Sequence, residues 1–220
     1  MEFSNQNYIL IGGDVNITGG SGYVNFGLMK VLNNGKLDST FGKNGFVNAD
    51  FADSIDGCTS IAVQNDNKIV LAGSVQIGAL YRNIVLIRYD ATGKTDSSFG
   101  INGKVIFQSD SLGGTVIHIL SNGKILLTLS KIWTGNSVNF AMIELNANGT
   151  LNTSFGNNGI LITPIPDSNG YANASIIQAD GKVIIAGGGV INSFSNFILA
   201  RYNSVTLPLH LLTLDRKSVV

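Results

Sequence analysis

Residues 83–90 read Asn-Ile-Val-Leu-Ile-Arg-Tyr-Asp (NIVLIRYD), and the reading of this stretch decides the fold. Ile84, Val85, Leu86 and Ile87 follow one another without a polar alternate, so a strand made of them carries apolar groups on both faces of its pleat. The stretch recurs as NFGLMKVL from Asn25, NFAMIELN from Asn139 and NFILARYN from Asn196. A strand that is apolar on two sides must be covered on two sides, and four copies can cover one another.

Working outward, an upstream column recurs as NYILIGG from Asn7, NKIVLAGS from Asn67, GKILLTLS from Gly123 and GKVIIAGG from Gly181. Downstream, F-G-x-N-G occurs at Phe41–Gly45, Phe99–Gly103 and Phe155–Gly159, in steps of 58 and 56 residues. Each unit holds four strand-length runs. In the second they are Ser60–Gln64, Lys68–Ser74, Ile84–Tyr89 and Lys104–Gln108, strands a to d of a meander. Seven Asn-Gly pairs, at Asn34, Asn44, Asn102, Asn122, Asn148, Asn158 and Asn169, supply hairpin turns, and no segment shows a helix-period stripe of useful length.

A lone four-stranded meander with two apolar faces has no stable way to hide them. Stacked around an axis, each meander buries its faces against its neighbours, whereas a two-sheet sandwich would show polar residues at alternate positions. The sequence therefore predicts an all-β chain, a β-propeller of about four four-stranded antiparallel blades, complete or a fragment of a larger propeller. The repeat domain covers 1–204, with blades at about 1–48, 58–108, 113–165 and 171–204.

The repeat resembles the bacterial delta-60 repeat, a β-propeller repeat family. Asp180–Gly187 (DGKVIIAG), Phe197–Tyr202 (FILARY) and Gly35–Gly45 (GKLDSTFGKNG) carry the resemblance. It implies the fold and brings no catalytic residues with it. After Asn203 the pattern breaks into SVTLPLHLLTLDRKSVV, which has no glycine. Residues 205–220 are expected to be either non-native sequence or, from the alternation of Leu207, Leu209 and Leu211, a strand that closes the ring on the first blade. An unclosed array would expose a sheet face and invite self-association.

Fourteen basic and 14 acidic side chains leave no net charge to steer a polyanion, so nucleic acid is not an expected partner. The apolar run Val183–Ile191 (VIIAGGGVI) is about half of the ~18 residues a membrane helix needs, so membrane insertion is not expected either. The start, MEFSNQNY, lacks the features of a secretory signal. Cys58 is the single cysteine and has no basic neighbour, which fits an inert thiol. Twenty-five asparagines and 27 glycines fit a bacterial, extracellular protein.

Acid–base chemistry needs convergent titratable groups, and the sequence holds two glutamates, Glu2 and Glu144, and two histidines, His118 and His210. Asp38, Asp66, Asp90, Asp96 and Asp180 stand where a carboxylate accepts a turn amide. Lys30, Arg88, Glu144 and Arg201 share one position of strand c and read as structural charges, while Phe41, Phe99 and Phe155 read as wedges between blades. His118 falls in an inner strand, near the central channel.

The b-to-c and d-to-a connections share one rim and differ most among the repeats, which is where binding on a rigid scaffold resides. That rim gives the candidate ligand-binding residues Tyr23, Tyr81, Arg82, Trp133, Phe194, Asp53 and Asp110. Asp50, Asp53 and Asp56 lack the glycine and dense oxygens of a calcium loop, so no metal and no cofactor is expected. The expected function is a non-catalytic binding module for a protein, peptide or glycan. The alternatives are a propeller enzyme of lactonase or lyase type with a channel metal held by Asp and His, and a structural segment of a larger bacterial surface protein.

Overall fold

A computed structural model of the chain describes residues 2–3, 8–16, 24–51, 56–77, 81–132, 138–165, 170–191, 194–202 and 209–214, and these hold strands and turns with no helix. The first sheet is β1 (Glu2–Phe3), β2 (Tyr8–Val15), β3 (Asn25–Leu32) and β4 (Phe46–Ala49), in that spatial order. The second and third meanders merge into one seven-stranded sheet: β5 (Asp56–Val63), β6 (Ile69–Ile77), β7 (Tyr81–Tyr89), β8 (Lys104–Ile119), β9 (Ile125–Ile132), β10 (Val138–Leu145) and β11 (Ile160–Thr163). The last sheet, named the fourth after its meander, is β12 (Gly170–Ile177), β13 (Val183–Ile191), β14 (Phe194–Tyr202) and β15 (Leu209–Leu214). Every strand pair is antiparallel.

The merger rests on β8. Its first residues pair with β7 (Ile87↔Lys104, Leu86↔Val105) and its last with β9 (His118↔Leu126, Ile119↔Ile125), so one strand closes the second blade and opens the third. Register shifts at Ser111, Gly113 and Val116 absorb the bend between them. The tail departs from its expected closing role. β15 pairs with β14, from Tyr202↔Leu209 to Phe197↔Leu214, and so completes the fourth sheet instead of joining the first. The leucine alternation does make a strand, and the nearest unpaired backbone edge, that of β14, takes it.

Turn chemistry places the motifs. Asn44, Asn102 and Asn158 take φ of 55°, 54° and 50°, each followed by a glycine of positive φ, which is the two-residue left-handed turn that Asn-Gly favours. In F-G-x-N-G the first glycine is obligatory: Gly42 has φ 54°, and a Cβ there would strike Val47 and the Phe46 carbonyl. The chain can then lay Phe41, Phe99 and Phe155 into the core, each at most 2% exposed. The glycine amides reach across: Gly42 N–H donates to Thr92 O and Gly100 N–H to Asn148 O, both at 2.8 Å, tying the first meander to the second and the second to the third.

Three apolar cores alternate with the four meanders. Phe26 and Leu28 of the first meet Leu71 and Ile87 of the second. Ile84 and Leu86 meet Leu127 and Ile143 of the third. Phe140 and Met142 meet Ile185 and Ala200 of the fourth. Along strand c, successive residues therefore point to opposite neighbours, as the unalternated run requires. At ~1.5–3 kcal/mol for each fully buried large apolar side chain, the blade-to-blade faces hold the array together.

Candidate functional site

The charged column of strand c is structural, and it shows how the repeats exchange charge. Arg88, 4% exposed, pairs through Nε with Asp96 Oδ2 at 2.9 Å. Its Nη1 donates to Ala147 O of the third meander at 2.5 Å and to Gln64 Oε1 at 3.0 Å. In the first sheet Lys30 pairs with Asp38 at 3.0 Å and lies 4.4 Å above the Tyr8 ring, where the second repeat has Lys68. In the third the sign inverts: Glu144 accepts from Lys124 at 2.9 Å and from Asn152, which stands where Asp38 and Asp96 stand. Burial works to raise the Asp96 carboxyl, but the Ser98 hydroxyl and amide, Lys68 and Arg88 outweigh it and hold it well below the usual range. A cavity of about 300 Å³ beside Arg88 is lined by Gln64, Asp66, Lys68 and Asn148, and its two cations are already paired with Asp66 and Asp96.

The aspartates assigned to turns accept their own turn amides. Asp38, Asp90, Asp96 and Asp180 take N–H donors two residues on, at 2.8 to 3.1 Å. Cys58 is inert in the fold, with burial and Asp14 pushing its thiol up to about 12.

On the inner strands, His118 Nε2 lies 2.8 Å from Ser175 Oγ, which lies 2.6 Å from Thr128 Oγ1. Burial lowers the imidazole pKa, so the neutral ring is favoured. This three-residue chain joins the third and fourth meanders. Reading His118 alone missed it, although Ser175 betrays itself as a hydroxyl in the column that holds Ile61 and Ile117. Among the described residues, no three His, Cys, Asp or Glu side chains are grouped to hold a metal ion.

Of the rim candidates, Tyr23, Asp53 and Trp133 lie outside the described residues. Tyr81, Arg82, Asp110 and Phe194 stand on strands rather than in loops, because the hairpin ends run further than their turn-like composition implies. Tyr81 pairs with Ile77 and Phe194 with Ile191, at the tips of their hairpins. Asp110 lies within the uninterrupted β8. Register then aligns Gln76, Arg82, Ser111 and Lys131 in one row across four strands and two blades. Arg82 is partly exposed, and its Nη1 donates to Ser74 Oγ at 3.3 Å. Asp56, expected on the loop, instead opens β5 and is fully buried. Its Oδ2 accepts the Phe51 amide at 2.8 Å.

The fourth sheet has a different concavity. A cavity of about 670 Å³ lies on its outer face, lined by Tyr171, Asn173, Ala186, Gly188, Val190 and Phe197.

Three segments of the chain, 64–99, 120–155 and 178–205, match a family model described as "Domain of unknown function (DUF5122) beta-propeller". The match supports a β-propeller repeat and is silent on the narrower delta-60 identification. No curated protein matches the chain in sequence. Similar solved structures include a polysaccharide lyase of family PL25, an ulvan lyase, at 12% identity and TM-score 0.50, covering 95% of this chain and 55% of the lyase. An α-L-arabinofuranosidase from Clostridium thermocellum aligns at 11% identity and TM-score 0.49, covering 96% of this chain and 70% of that one. A fucose lectin from Kordia zhangzhouensis aligns at 10% identity and TM-score 0.41, covering 70% and 96%. At 12% identity the likeness to the lyase concerns the fold alone. It corrects one expectation, since a chain of similar fold is a polysaccharide lyase and a non-catalytic character does not follow from the architecture.

Proposed function

We propose that the chain is a β-propeller module that binds a carbohydrate at the rim shared by the second and third meanders. The observation that carries this reading is the register row Gln76, Arg82, Ser111 and Lys131, held on the continuous β8. Tyr81 and Asp110 adjoin that row in sequence. Gln, Arg, Ser and Lys aligned by backbone register are residue types that suit the dense hydroxyls of a sugar, and an aromatic residue suits its apolar C–H face. Trp133, Tyr23, Phe194 and Asp53 belong to the same rim in this reading. The two-blade span fits an oligosaccharide better than a single ring, since strands lie about 4.8 Å apart and the row crosses four of them. The delta-60 character of the repeat belongs to this proposal as well.

A glycan array probed with the whole chain tests it, followed by titration of any hit against Arg82→Ala and Trp133→Ala. The expected result is binding to at least one oligosaccharide class, weakened about 10-fold or more by Arg82→Ala, the scale of one lost charge-assisted hydrogen bond. An array without hits, or a hit indifferent to both substitutions, overturns the assignment. Binding confined to a parallel peptide array would move the function to peptides.

A further inference from the structure

The outer face of the fourth sheet has the composition of a blade interface and, among the described residues, lacks a covering blade. Phe197 and Leu199 continue the column in which Phe26 and Leu28, Ile84 and Leu86, then Phe140 and Met142 are buried against the next sheet. Phe197 is 69% exposed, Val190 and Tyr171 beside it are 47% and 44% exposed, and Ile176, farther along the same face, is 59% exposed. The opposite end of the array presents the matching half. On the first sheet Ile9, Ile11 and Met29 point away from the core they would share with the second sheet and are only partly buried.

Size complementarity identifies what fits against Phe197. The residue that faces each strand-c aromatic from the following blade is a glycine of strand b. Phe26 Cζ lies 2.8 Å from a Cβ built on Gly73, and Phe140 Cζ lies 3.1 Å from one built on Gly187. Where the upstream residue is the smaller Ile84, that strand-b position holds Leu129 instead. On the first sheet the same position is Gly13, and a Cβ there would meet nothing within 4 Å. The chain thus carries an exposed Phe at one end and an open glycine notch at the other, the two halves of a contact it makes twice internally.

We infer that a second copy of the chain docks head to tail, with Phe197 of each protomer seated at Gly13 of its partner. Two arcs of four blades give eight, within the ~4–8 blades of closed propellers, so the pairing is a closed dimer with two identical junctions. Net charge is zero, so no long-range repulsion opposes it.

Sedimentation equilibrium of the whole chain, Phe197→Arg, Gly13→Arg and their equimolar mixture tests the inference. Both positions are open in the fold, so the variants keep their blades, which circular dichroism and melting verify. The expected result is a dimer for the parent chain and association weakened about 100-fold or more in each variant, the loss of a central anchor. The mixture regains a one-to-one dimer, because it restores one unaltered Phe197–Gly13 junction. A monomeric parent chain overturns the inference. So does dissociation by Phe197→Arg with Gly13→Arg silent, which would mean that two fourth sheets pair face to face.

Discussion

Phe140 and Phe197 hold the same position in the third and fourth meanders and differ in fate only because of what lies beside them. Phe140 is fully buried above Gly187, whereas Phe197 stands 69% exposed. Both strands are regular, and both pair along their length with strands on either side. Pairing within a blade therefore does not depend on covering its face, but burial does. Stability in such an array resides at the junctions between sheets, as in other one-dimensional repeats.

The comparison is broken most forcefully by truncating the two rings. Phe140→Ala is expected to cost about 3–5 kcal/mol, because the transfer energy is lost and a cavity remains. Phe197→Ala, measured in the Gly13→Arg background to remove docking, is expected to stay within about 1 kcal/mol. Urea unfolding of the two variants reads the difference directly, and equal losses would show that the outer face is covered within one chain.

The glycines give a smaller effect of the same kind. A Cβ at Gly73 would strike the Gly57 carbonyl, because the register shift between Cys58 and Ser60 brings the bulged strand's backbone close to it. Gly73→Ala is expected to destabilise by about 2–3 kcal/mol through overpacking. At Gly13, with docking removed by the Phe197→Arg background, the same change meets open space, and the loss of unfolded-state freedom makes it neutral or stabilising by about 0.5 kcal/mol. Similar melting shifts for the two variants would refute the notch.

Much of this junction chemistry was legible in the sequence. The run Ile84-Val85-Leu86-Ile87 announced burial on both faces, and the fold divides it between two cores as expected. The column Lys30, Arg88, Glu144 and Arg201 read as structural, and its partners Asp38, Asp96 and Asn152 already sat at one repeat position. Less legible was what depends on distant partners. Residues 108–114, Gln-Ser-Asp-Ser-Leu-Gly-Gly, have loop composition, yet they extend β8, because long neighbouring hairpins offer Arg82 to Ser111 and Ser130 to Gly113. Tertiary pairing there overrode local propensity. The row of Gln76, Arg82, Ser111 and Lys131 follows from that strand and could not be read without its register. Likewise the leucines of β15 announced a strand but not which edge would take it.

A subtler contrast lies in how two junctions cap the chain leaving strand d. At the third, Asn139 Oδ1 accepts the Ile165 amide at 2.8 Å, a neutral side chain in a buried place. At the first, the Phe51 amide goes to Asp56, and the second carboxylate oxygen, Oδ1, is buried with no hydrogen-bond partner among the described residues. Burial pushes the Asp56 carboxyl up from 3.8 to about 6, with Asp50 and Asp14 adding to the rise while the Phe51 amide and Lys104 oppose it. The folded chain thus holds this proton more tightly than the unfolded chain between about pH 4 and 6, and its contribution to stability falls as pH rises through that window. Asp56→Asn keeps an acceptor for Phe51 and removes the titration. The stability of the parent chain relative to the variant is therefore expected to increase by about 1–3 kcal/mol from pH 7.5 to pH 4.5. His118, whose imidazole is lowered by burial, titrates with the opposite sign in a neighbouring range, but it is common to both proteins and cancels in the difference. Urea unfolding at the two pH values decides it, since a pH-independent difference would mean that Asp56 titrates as an ordinary carboxylate and that the two caps are electrostatically equivalent.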